Sequence, residues 1–199
     1  MQLYSSSPSP FGRKVKIIAH LTGLYEQLEV VTIDGNDPES TQINPNPLHK
    51  IPALALESGE LIVDSKVICE YLIQASGRTE ILPDDHRVYH LSRAAIADGM
   101  TEAALLMVYE RRFREPSQIN TDWLHRQNQK VLGGLQWWTD NITPVQSTPT
   151  LDQIGLAVSL GYLDFRFSGE WRTRFTDLAL WLTQFQQMVP AYQLPDPQA

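Results

Sequence analysis

Cysteine is nearly absent. Cys69 is the only one in 199 residues, which excludes an internal disulfide and fits a reducing compartment. The five histidines, His20, His49, His86, His90 and His125, show no ligand spacing with one another or with Cys69, so no metal site is expected. No apolar run reaches the ~18 residues of a transmembrane helix, and no membrane contact is expected. The N-terminal stretch lacks the basic-then-apolar pattern of a secretory signal, so the cytoplasm is the expected location. Positive charge is also scarce. Lys and Arg number 16 against 23 Asp and Glu, a net charge of −7, the opposite of the basic surface that nucleic-acid binding requires.

Hydrophobic content of 42% and charged content of 20% are those of a globular chain. Residues 1–4 suit a short strand before a Ser/Pro cluster. From Ser9 the string SPFGRKVKIIAHLTG reads as a helix, with Ser9 as N-cap, Pro10 in the first turn and Gly23 past the end. YEQLEVVTID reads as a second strand, and a Pro-punctuated polar stretch runs from Gly35 to Pro47. IPALAL and LIVD flank the Gly-containing turn ESGE, a hairpin pattern. SKVICEYLIQASG follows as a helix, with Ser65 as its expected cap and Val67, Ile68, Tyr71 and Leu72 as its apolar stripe.

Beyond residue 77 strand signals vanish. The stretch 87–114 is apolar around most of its circumference, which suits contact with a core and with a partner subunit or cleft. Helices are expected over 120–142, over TLDQIGLAVSLGYLDFRF and over about 174–188, with an irregular tail. Thr150 and Gln153 match a capping box, and the apolar helix after them should be the buried centre of the second domain.

This order, α/β and then all-α, resembles the cytosolic glutathione S-transferase family, and five strings carry the resemblance. They are SPFGRKV after the first strand, NPLHKIPAL before the third, DS leading into KVICEYL, TLDQIGLAVSLGYLDFR, and the Pro-punctuated tail. The likeness is greatest to bacterial members with a serine-type N-terminal motif. It implies a thioredoxin-like glutathione-binding domain over 1–76, a linker over 77–86 and an all-helical domain over 87–199 with an electrophile pocket and dimer contacts.

The resemblance also assigns roles. In the family the proline after the third-strand turn is cis, which an X-Pro bond adopts at a cost of only about 0.5–1 kcal/mol. Ile51 would then bracket the cysteinyl part of glutathione with its backbone while Pro52 holds it. Asp64 and Ser65, at a helix start, complement the ammonium and carboxylate of the γ-glutamyl end. Lys50 suits the glycyl carboxylate, with His49 either a second contact or a solvated loop residue. A free thiol titrates near ~8.5 and is mostly protonated at neutral pH. A hydroxyl and a helix N-terminus favour its thiolate, and Ser9-Pro10-Phe11 with Arg13 matches the active serine.

Tyr4 is the alternative hydroxyl, and Ser7 comes too early for the pattern. No cysteine stands at this place, unlike the thiol-transferase branches, and Cys69 falls on an apolar helix face. For the second substrate, in a cleft between the domains, helical spacing offers Phe11, Met100, Ala103, Met107 and Arg111; Asp98 could reach across a dimer interface. The expected function is conjugation of glutathione to small hydrophobic electrophiles by a homodimer. A glutathione-dependent isomerase, dehalogenase or peroxidase, or a non-catalytic interaction protein on the same fold, remains as alternative.

Overall fold

Leu3 alternates with Gln2 and Tyr4 between buried and accessible positions, and that period of two makes β1 (Gln2–Ser5) the inner strand of a sheet. The computed structural model describes residues 1–194, which fall into two units. Residues 1–85 form one, joined by the described residues from Val189 on; His86–Met188 form the other. The tail residues beyond Leu194 lie outside the described residues.

In the first unit β2 (Glu29–Thr32), β3 (Ala53–Ala55) and β4 (Leu61–Ile62) complete a four-stranded sheet of order β2-β1-β3-β4. β1 runs parallel to β2 and antiparallel to β3, which pairs antiparallel with β4. α1 (Pro10–Leu21) ends at Thr22, and Gly23 takes the positive φ of 71° that follows. α3 (Ser65–Ser76) packs against α1. Between them Leu3, Ile17, Ile18, Leu54, Ile68 and Leu72 are fully buried, each contributing roughly 1.5–3 kcal/mol. The arrangement is thioredoxin-like.

YEQLEVVTID is a strand only in its second half, because Tyr25–Gln27 forms a 3-10 turn first. The polar stretch 35–47 contains a five-residue helix, α2 (Pro38–Gln42), started by Asp37. Segment 77–86 contributes Ile81 and Leu82 to the buried core of the first unit.

The second unit is helical: α4 (Arg87–Arg112), α5 (Thr121–Asn141), α6 (Leu151–Phe167) and α7 (Thr176–Met188). α6 buries every residue from Leu151 to Leu160, as an all-round apolar helix must. It lies parallel to α4, since partners ascend together along both helices: His90 and Arg93 meet Asp152, Ala97 meets Gly155, and Thr101 meets Ser159. Gly134 in α5 exists for a neighbour. A Cβ there would stand 2.2 Å from Met100 Cγ.

The capping box does not form. Thr150 is the N-cap of α6, but its hydroxyl donates to Asp152 (2.7 Å), while Gln153 reaches back to the Pro144 carbonyl (2.8 Å). Asp152 is committed further, accepting from His90 Nδ1 (2.7 Å) and Arg93 Nε (2.7 Å). Arg93, itself buried, also stacks 4.4 Å over Trp138. A charge pair so enclosed is costly to break from one side. Asp152→Ala should therefore lose about 3–5 kcal/mol in urea unfolding; a loss below ~1 kcal/mol would show that the pair does not anchor α6 to α4.

Candidate functional site

Strand directions bring three sequence motifs to one end of the sheet. Tyr4 pairs with Ala53 and Leu54 with Ile62, so the end of β1, the start of β3 and the end of β4 coincide there. The Ser5–Ser9 loop, Ile51-Pro52 and Asp64-Ser65 follow or precede those strand ends directly. α1 and α3 both begin at this end, so two sets of unpaired backbone N–H groups, each with the positive end of a helix dipole, face the same region.

At the first helix Ser9 is the N-cap, in extended conformation, and its Oγ accepts the Gly12 N–H at 3.1 Å. Close seating of α1 on β1 depends on Gly12. A Cβ there would lie 2.0 Å from Oγ of the fully buried Ser5. Tyr4 sends its hydroxyl two residues back along β1 to Gln2 Oε1 (3.0 Å), away from this end. Ser6 supplies only a carbonyl, accepting Ser9 N–H at 3.2 Å, and Ser7 lies in the intervening turn.

Phe11 is half-buried on the first turn of α1, 5.9 Å from Lys14 Nζ. Arg13 is buried, stacked 4.1 Å over the Tyr192 ring with its Nη2 donating to the Tyr192 carbonyl (2.9 Å). Nothing in the sequence pattern pairs residues 179 apart, and only the return of the chain at Val189 makes this clamp visible.

The Ile51-Pro52 peptide bond is cis, and so is Val63-Asp64. Among the described residues no hydrogen bond engages the Ile51 backbone N–H or C=O. Two buried asparagines fix the approach to this point: Asn44 and Asn46 both donate from Nδ2 to the Lys50 carbonyl, at 3.1 and 2.8 Å. Sequence reasoning passed over both as polar loop. Their one signal was position, each directly before a proline in NPNP, where Asn side chains build turns. His49, exposed, holds a positive φ of 52° and approaches the Thr41 carbonyl at 3.3 Å; the Lys50 side chain is exposed.

The second helix start differs from expectation. Asp64, not Ser65, is the N-cap of α3, with Oδ1 accepting the Lys66 N–H at 2.8 Å. Adjacent Asp and Ser can both cap. The extended residue takes the role, and that is Asp64, whereas Ser65 is already helical and buried.

The remaining candidates lie in the helical unit. Met100 packs on Gly134, and Ala103 and Met107 are buried along α4. Arg111 is exposed and donates to the Met107 carbonyl (3.3 Å). Asp98 is buried within the unit at 7% exposure. Among the described residues no group of three or more His, Cys, Asp and Glu could hold a metal ion, and no helix is long and apolar enough to cross a membrane.

A thioredoxin-like sheet presenting two helix starts and a cis-proline at one end, with a helical unit after it, is a glutathione transferase architecture. The family model for the glutathione S-transferase N-terminal domain matches residues 8–75. Over 173 residues the chain is 33% identical to the uncharacterized GST-like protein YibF of Escherichia coli K12, covering 83% of each. It superposes with a TM-score of 0.90 on a glutathione S-transferase from Methylobacillus flagellatus KT with glutathione bound, at 29% identity over 99% of each chain. A glutathione transferase family member from Pseudomonas fluorescens Pf-5, also with bound glutathione, matches at 0.89 and 31% identity over 100% of this chain and 99% of that one. The chain belongs to the glutathione S-transferase family.

The Ser5–Gly12 contact sets the position of the α1 start and is testable by packing alone. Gly12→Ala should destabilise by about 1–3 kcal/mol through overpacking, and Ser5→Gly in the same chain should recover most of it. A Gly12→Ala chain as stable as the parent would show that α1 is not held this closely.

Proposed function

We propose that this chain conjugates the glutathione thiolate to small hydrophobic electrophiles, with Ser9 stabilising the thiolate. The observation that supports it most is the hydrogen-bond inventory of Ser9. A hydroxyl has two acceptor positions and one proton to donate. Capping uses one acceptor position, for the Gly12 N–H, and the proton stays available for an anionic sulfur. Capping and thiolate stabilisation therefore coexist in one residue. The first-turn amides of α1 add their dipole end.

In this reading Ile51 offers its unengaged N–H and C=O to the cysteinyl backbone. Asp64 pairs with the γ-glutamyl ammonium, and the free N-terminal amides of α3 from Ser65 meet its carboxylate. Lys50 takes the glycyl carboxylate. Phe11 gives the first unit an apolar surface for the electrophile. The thiolate sulfur attacks the electrophilic carbon, a C–S bond forms, and the leaving group departs with the bonding pair. The protein acts as a homodimer in the cytoplasm.

The test uses a halodinitrobenzene as electrophile. A hydrogen bond to a charged group is worth about 1.5–3 kcal/mol, so Ser9→Ala should lower turnover roughly 10- to 100-fold while the protein is still retained on immobilised glutathione. Ser9→Asp preserves the cap but sets a carboxylate against the thiolate, and should be no more active than Ser9→Ala. Unchanged turnover in Ser9→Ala removes Ser9 from the chemistry. A parent chain that fails to bind millimolar glutathione points instead to an interaction protein.

A further inference from the structure

The hydroxyl of Ser5, fully buried at the end of β1, has no hydrogen-bond partner among the described residues. Ser5 shares a face of the sheet with Leu3, and α1 covers that face at Gly12, where a Cβ would lie 2.0 Å from Ser5 Oγ. An alanine at position 5 would pack there with no polar atom to desolvate. Buried hydroxyls normally have partners, so packing alone does not account for this one. Among the described residues of the first unit the other such atom is Arg13 Nε, but that guanidinium is engaged through Nη2 and by the Tyr192 ring. The Ser5 hydroxyl has no such engagement.

The neighbour that completes it is Ser9. The same point at Gly12 lies 3.4 Å from Ser9 Oγ, so the two hydroxyls flank one position. Ser9 Oγ accepts the Gly12 N–H and keeps a second acceptor position unfilled among the described residues. Ser5 has the complementary need, a proton without an acceptor. Its Oγ turns about a single torsion, χ1, and no hydrogen bond holds that torsion where it stands.

We propose that Ser5 is a positioning residue for the Ser9 hydroxyl: its O–H donates to Ser9 Oγ, whose own O–H then points to the glutathione sulfur. The inference rests on the Ser9 reading and extends it one residue inward. With both acceptor positions of Ser9 filled, by Gly12 and by Ser5, its proton has only the sulfur to meet. Hydrogen bonds in a chain polarise one another, which makes Ser9 the stronger donor to an anion. Each proton stays on its own oxygen. Ser5, enclosed beneath α1, does not touch the sulfur.

Three chains test this against the parent: Ser5→Ala, Ser9→Ala and the double substitution. Each is read by turnover with a halodinitrobenzene, by titration of the bound glutathione thiol and by urea unfolding. Ser5→Ala should lower turnover about 3- to 10-fold, the worth of one hydrogen bond, and raise the thiol midpoint by about half a unit or more. Its urea midpoint should be no lower than the parent's, since the hydroxyl it removes had no partner. Because Ser5 acts through Ser9, adding Ser5→Ala to Ser9→Ala should have no further effect. A packing role would lower the urea midpoint and give the same fold loss in either background. The relay is overturned by that additivity, or by a Ser5→Ala chain with parental turnover and thiol midpoint beside an impaired Ser9→Ala. Parental turnover in Ser9→Ala overturns the Ser9 reading itself, and the relay with it.

Discussion

The start of α1 is the constraint on which the first unit turns. Gly12 lets the helix approach β1 until its Cα side touches the buried Ser5, and at that distance the Gly12 N–H meets the Ser9 hydroxyl. The contact and the cap fix the same turn from two sides. Because α1 starts where β1 ends, its positive end emerges beside the cis Ile51-Pro52 bond and the capped start of α3. A region with two helix starts and few committed donors favours an extended, anionic ligand. The solved relatives carry glutathione, a peptide with carboxylates at both ends and a thiol between.

The helical unit is organised by a different device. Asp152 gathers Thr150, His90 and Arg93 at the buried start of α6. Small residues then let α4 and α6 approach closely, Ala97 against Gly155 and Thr101 against Ser159.

Much of this was legible in the chain itself. Ser9-Pro10 marks a helix start by local chemistry alone, because a capping hydroxyl and a first-turn proline need no distant partner. The all-round apolarity of α6 and the hairpin around ESGE are likewise local. What escaped depends on residues far apart in sequence. Thr150 and Gln153 have the spacing of a capping box, but Asp152 competes for the threonine while held by Arg93, 59 positions away. Asp64 and Ser65 are both capping types, and only the backbone conformation decides between them. The Arg13–Tyr192 clamp and the Asn44–Asn46 bracket on Lys50 follow from chain return and loop closure, which leave no periodic trace.

The account stands on Ser9 and the α1 N-terminus lowering the proton affinity of a bound thiol, and spectrophotometric titration of the thiolate in the protein–glutathione complex measures that directly. A free thiol titrates near ~8.5, and each unit of depression corresponds to about 1.4 kcal/mol of preference for the charged form. The account predicts a midpoint depressed by about one unit or more in the complex, with much of the depression lost in Ser9→Ala. A complex whose thiol titrates like free glutathione would contradict it.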